Sequence, residues 1–186
     1  MRSGLLILCL ASCARDPVAA VCPAVSEGDL VITEVRGPQS PDDTNGPWVE
    51  LFNATGRPID LEGTKIRFRR KDGSSEIDIL VRRSVTVGPG EFTVLGLFLD
   101  QDINTPAFVS YGFLDDFTGS WLSAAGVDME TCGQRIDLMQ YDVLPSVGTY
   151  SLGSMPPDAT SNDLPTSWCT NPMSAGTPGA ANIACP

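Results

Sequence analysis

The sequence predicts an all-β sandwich or barrel. Three observations carry that expectation. Short apolar stretches alternate with polar residues at a period of two, as half-buried strands require. Turn residues, 18 Gly and 15 Pro among 186 residues, punctuate the chain between those stretches. Long runs of Ala, Leu, Glu and Lys, which helices favour, are absent. The length suits one domain with a real core.

The first element is an address. Met1 to Cys13 reads MRSGLLILCLASC. One Arg precedes an apolar run that falls short of the ~20 residues a membrane-spanning helix needs. That order is the n-region and h-region of an export signal. Leu10-Ala11-Ser12-Cys13 resembles the bacterial lipobox. The resemblance implies a signal peptide over residues 1–12, removed ahead of a lipidated Cys13. Ala14 after the Cys resembles the form sorted to the outer membrane or cell surface. Residues 13–27 then read as a lipidated Cys and short tether, with the domain over 28–186.

Within the domain, Asp29 to Arg36 (DLVITEVR) is a β-branched run stopped by Gly37-Pro38. Trp48 to Asn53 is the second strand. Trp48, Glu50 and Phe52 share one face; Val49, Leu51 and Asn53 share the other. Glu50, set between two aromatics, is expected to be partly buried and to need hydrogen-bond partners. Asn53-Ala54-Thr55-Gly56 is a turn signal, and only formally a glycosylation triplet. Thr64 to Arg69 places Ile66 and Phe68 inward and Lys65, Arg67 and Arg69 outward. Lys71-Asp72-Gly73-Ser74 turns the chain into Glu76 to Val81, with Ile77, Ile79 and Val81 inward. Val85 to Val87, Glu91 to Phe98, Trp121-Leu122, Arg135 to Tyr141 and Thr149 to Leu152 supply further strand. Asp100 to Asp116 is irregular. No segment reads as a helix.

Four cysteines fall in the exported domain: Cys22, Cys132, Cys169 and Cys185. An even count in an exported chain reads as two disulfides. Three connectivities are open; Cys132–Cys169 with Cys22–Cys185, the latter clamping the two ends, is the favoured one. The chain lacks both His and a Cys-x-x-Cys pair, which argues against zinc and against His-dependent nucleophilic catalysis.

Two clusters are candidates for binding. Seven of the twelve Lys and Arg residues lie between positions 65 and 83: Lys65, Arg67, Arg69, Arg70, Lys71, Arg82 and Arg83. Gathered on one hairpin they would form an anion site for nucleic acid or an acidic polysaccharide. The alternative is a solvated face, with Lys65 and Arg67 paired across the hairpin to Glu76 and Asp78. The formal net charge of −11 disfavours generic nucleic-acid binding. Asp100-Gln101-Asp102-Ile103-Asn104 begins like a calcium loop, with Asp115 and Asp116 as further donors. It lacks the Gly and Glu that an EF-hand loop carries at positions six and twelve.

LVITEV, WVELFNATGRPIDLEGTKIRF, VGPGEFTVL and RIDLMQY, taken together, resemble the lamin tail domain. The ending WCTNPMSAGTPGAAN (Trp168 to Asn182) fits the same pattern. The resemblance spans Asp29 to Asn182 and implies an immunoglobulin-like sandwich in a bacterial exported protein. It also implies that Glu50 and Asn53 are strand-end residues that fix a turn. The function expected is binding, scaffolding or adhesion at the envelope. The membrane is reached through the lipid anchor, and a protein or envelope polymer is the partner. No catalytic residue and no cofactor are expected, calcium being the one candidate ion. The alternatives are an anion-binding module on the 65–83 hairpin and a carboxylate- or calcium-dependent hydrolase.

Overall fold

The computed structural model describes residues 21–186. The segments read as a signal peptide (1–12) and as a lipidation site at Cys13, with most of the expected tether, lie outside the described residues. Twelve strands form in chain order: β1 (Leu30–Arg36), β2 (Trp48–Asn53), β3 (Ile59–Asp60), β4 (Lys65–Arg69), β5 (Ile77–Leu80), β6 (Thr86–Val87), β7 (Phe92–Gly96), β8 (Val109–Gly112), β9 (Ala125–Thr131), β10 (Gln134–Tyr141), β11 (Thr149–Leu152) and β12 (Trp168–Asn171). A one-turn helix α1 (Ala159–Asn162) and a 3₁₀ turn (Pro165–Ser167) precede β12. The sequence shows no helical period there, because a single turn is too short to display one. It is set instead by Asp158, whose carboxylate caps the Ser161 amide.

The strands make an all-β sandwich. One sheet has the order β12-β11-β1-β2-β7-β8, the other β10-β9-β4-β5, and β3-β6 forms a small third ladder. All pairings are antiparallel except β7 with β8. The core between the sheets is built from Ile32, Val35, Val49, Leu51 and Leu95 on one side. Ile66, Phe68, Ile79, Val127, Met129 and Met139 close it from the other. The inward assignments of Ile66, Phe68, Ile77, Ile79 and Val81 agree with the observed burial.

Four sequence expectations are corrected. Trp121-Leu122 is not a strand; Trp121 instead packs on Phe68 at 4.8 Å and on Phe117 at 5.6 Å between ring centroids. Strands β8 and β9 form inside the region read as irregular or left unassigned. The disulfides are Cys22–Cys132 and Cys169–Cys185, each with Cα atoms 5.7 Å apart, not Cys132–Cys169 and Cys22–Cys185. The reason is that the two chain ends run to different places. The N-terminal segment crosses Gly63, whose missing side chain leaves room for the Val21 carbonyl, and so reaches the β9–β10 turn. That turn, Cys132-Gly133, has positive φ at both residues, the geometry of a two-residue hairpin. Cys185 comes instead to Gly153, beside the β11–β12 pair that carries Cys169. Finally, the domain starts before residue 28: Val25 is buried in the core, and Gly28 donates to the Ile136 carbonyl.

Candidate functional site

The feature that gathers most polar groups is a buried carboxylate pair on the outer face of the six-stranded sheet. It arises from a bulge. β1 opposes β2 as Ile32↔Leu51 and then Glu34↔Glu50, so Thr33 is the extra residue. The bulge turns Glu34 to the face of Glu50 while Ile32 still faces the core. Both carboxylates are fully buried.

Each is saturated by hydrogen bonds. Glu34 accepts from the hydroxyls of Thr149 and Ser151 on β11, the latter at 2.7 Å, and from the Thr177 amide. Glu50 accepts from the Thr33 hydroxyl at 2.8 Å and from the Gly179 amide at 2.7 Å. Thr177 and Gly179 belong to residues 174–182, a strap that lies over the pair. Asn182 ties the strap's far end by donating to the Thr33 carbonyl at 2.8 Å. Arg36, itself buried, holds the near end by donating to the Ser174 carbonyl at 3.0 Å, and it pairs with Asp43. Gly176 is required here. Its φ is +71°, and a Cβ would come within 2.9 Å of the Glu34 carboxylate. Burial pushes the Glu50 carboxyl well above its ordinary range, and the neighbouring Glu34 charge pushes the same way.

The expectation of a partly buried Glu50 understates its burial, and Glu34 was not anticipated. Asn53 does fix its turn: its amide donates to the Arg57 and Val87 carbonyls and its oxygen accepts from Thr55. So engaged and buried, it is not open to glycosylation.

The basic cluster does not converge on free solvent. Arg67 bonds Asp128 and Glu130, both at 2.6 Å, and Arg69 also reaches Asp128. The partner strand is chiefly β9, not the β5 acids expected, although Glu76 does approach Arg69 at 3.6 Å. Asp128 is fully buried beneath the two guanidinium groups. Lys71 pairs with Asp142. Among the described residues no ion pair forms at Lys65 or Arg70.

Arg82 and Arg83 meet the acidic loop. Arg83 clasps Asp100 with two bonds of 2.7 and 2.8 Å and lies 5.3 Å from the centre of the Tyr111 ring. Arg82 pairs with Asp116 at 2.6 Å. These residues line a cleft of about 250 Å³ in which the two candidate clusters neutralise each other. The Arg83 guanidinium holds the Asp100 carboxyl below its ordinary range. The calcium expectation fails on this geometry. Asp100 is turned to Arg83 and the Gly112 amide, Asp102 to the backbone and side chain of Asn104, and Asp116 to Arg82. Among the described residues no group of three or more acidic, Cys or His side chains is arranged to hold a metal.

A scan against known protein families and a search of curated proteins return no match to this chain. The two disulfides fit an oxidising, exported environment. No described helix is long and apolar enough to cross a membrane.

Proposed function

We propose that the chain is a lipid-anchored protein of the bacterial envelope whose lamin-tail-like sandwich binds or scaffolds and does not catalyse. One observation carries the reading. Most of the carboxylates and cations that could have formed a reactive or ion-binding site, among them Arg67, Arg69, Arg82, Arg83, Asp100 and Asp116, are engaged with one another, or with the strap, in holding the fold. Glu34 and Glu50 sit beneath residues 174–182, out of reach of a substrate. Two of the segments that resemble the lamin tail domain are structural here: the WVELFN stretch forms β2, and GTPGAAN forms most of the strap.

Anchoring at Cys13 places the domain beside a membrane, within the ~3.4 Å per residue that an extended tether allows. Several acyl chains hold such a protein stably, each buried methylene contributing about 0.8 kcal/mol. The test is metabolic labelling with a fatty acid in a bacterial host. The label is expected on the full chain and lost in Cys13→Ser, with the protein released to the soluble fraction. Labelling that survives the substitution, or a wild-type protein found soluble, overturns the anchoring.

A further inference from the structure

The two disulfides of the domain stand in different surroundings. Cys169–Cys185 is packed into the fold. Both of its cysteines are half-buried, and Cys185 Sγ lies 3.5 Å from the Ser167 carbonyl and 4.0 Å from that of Ser151. Cys22–Cys132 is on the surface, with both cysteines exposed. Gly133, next to Cys132, has no atom within 4 Å of where a side chain would stand, so the approach from that side is open. A thiolate opens a disulfide by attacking one sulfur directly, so access decides which of two bonds reacts.

The backbone singles out the same bond. Cys132 has a φ of +46°, in the left-handed region, and forms with Gly133 the two-residue turn between β9 and β10. Such a turn ordinarily takes Asn or Asp in that place. Backbone held in this region by a residue with a Cβ is uncommon and gathers at active sites, clamps and switches.

Neither end needs the bond to stay folded. The β9–β10 hairpin is held by its own ladder, from Gln134↔Thr131 to Tyr141↔Ala125. The N-terminal segment is held from residue 24 onward. The Ala24 carbonyl accepts from Arg57, Val25 is buried in the core, and Gly28 donates to the Ile136 carbonyl. Among the described residues no backbone hydrogen bond fastens Val21 or Cys22. Val21 is seated against the bond, its carbonyl 3.9 Å from Cys132 Sγ. Val21 and Cys132 wall a cleft of about 490 Å³ whose other walls include Gly63, Lys65, Leu80 and Val81.

We propose that Cys22–Cys132 is a reversible thiol–disulfide switch. A dithiol opens it while the sandwich stays folded, and its opening unfastens the N-terminal segment and uncovers that cleft. One thiolate of the dithiol attacks a sulfur of the bond and displaces the other as a thiolate. The second thiol of the reagent then resolves the mixed disulfide. Two electrons and two protons pass to Cys22 and Cys132, and the dithiol leaves as a disulfide. With Cys22 free, the Val21 carbonyl no longer has to lie over Gly63, where the missing side chain leaves room for it. Ala24 and Val25 stay in place and keep Cys22 near the turn, so an oxidant closes the bond again. The switch does not depend on anchoring at Cys13.

The experiment treats the full chain, with both disulfides formed, with graded dithiothreitol under native conditions. Free thiols are trapped with iodoacetamide and mapped by peptide mass spectrometry. NMR follows the amides of Gly63 and Val81 at the cleft and of Ile32 and Leu51 in the core. Cys22 and Cys132 are expected to be trapped together, at least about tenfold faster than Cys169 and Cys185. Gly63 and Val81 are expected to shift as the bond opens, Ile32 and Leu51 to stay in place, and the change to reverse with oxidised glutathione. Cys22→Ser combined with Cys132→Ser is expected to keep the core signals and to show the shifted cleft signals with no thiol added. Opening of Cys169–Cys185 first or at the same rate overturns the inference. So does opening that occurs only as the core signals are lost, a double variant without native core signals, or reduction that leaves Gly63 and Val81 where they were.

Discussion

Two charged regions of this molecule use the same chemistry in opposite ways. Under the strap, Glu34 and Glu50 face each other with no cation between them and are saturated by hydroxyl and amide donors. On the hairpin face, Arg67 and Arg69 cover Asp128, and the ends of the guanidinium groups remain in partial contact with water. The first region depends on every donor being present, because water cannot replace a lost one in a sealed site. The second can resolvate when broken. The difference separates a latch that fixes where the chain's C-terminal segment runs from a surface that mainly offsets its own charge.

The largest effect should therefore come from the latch. Glu34→Ala leaves the Thr149, Ser151 and Thr177 donors without an acceptor and is expected to destabilise the fold by about 3 kcal/mol or more in chemical denaturation. Glu50→Gln keeps the shape and one acceptor of the group and removes a charge that burial and the neighbouring Glu34 disfavour. It is expected to change stability by less than about 1 kcal/mol at neutral pH. Equal losses in the two variants would erase the distinction between a hydrogen-bond acceptor and a charge in this site.

On the hairpin face, Asp128→Asn leaves two arginines that can turn to solvent, and a loss of about 1–2 kcal/mol is expected. Lys71→Ser removes an ion pair whose carboxylate is 87% exposed, and a change below about 0.5 kcal/mol is expected. A Lys71 effect as large as that of Asp128 would contradict the ranking by burial.

The dependence on pH sharpens the same contrast. Asp137 rises from 3.8 to about 7 through burial, and Glu50 rises for the same first cause. A carboxyl with a raised folded pKa binds more protons in the native state than in the unfolded chain. Its stabilisation is thus full below about pH 4 and is lost as pH climbs toward 7. Asp100 and Asp43, held low by hydrogen bonds with Arg83 and Arg36, act the other way, and their contribution is lost as pH falls below about 4. Denaturation midpoints measured from pH 4 to 8 should fall across that window in the wild type. They should fall less in Asp137→Asn, whose amide oxygen still accepts from the Ile32 amide.

Much of the fold was legible in the sequence because its strands alternate. Lys65 to Arg69 and Glu76 to Val81 reveal their inward faces by period alone, and Asn53-Ala54-Thr55-Gly56 reveals its turn. β9 was not read, although Val127 and Met129 alternate, because an acidic residue between them looks like a surface residue. Asp128 is buried only because arginines from a neighbouring strand lie over it, which a single strand's pattern cannot show. Glu50 stood out between Trp48 and Phe52. Glu34 did not, since strict alternation groups it with Ile32, a core residue; the bulge at Thr33 separates them. Its donors come from positions 149, 151 and 177, and the sequence holds no local signal of that meeting.

The most direct test of the account is native-state hydrogen exchange at the Thr177 and Gly179 amides, the two backbone donors that join the strap to the buried carboxylates. The account predicts that both exchange only when the whole domain unfolds, with the same free energy as the core amides of β1 and β2. Exchange of either amide at the rate of an open chain, while β1 and β2 stay protected, would contradict it.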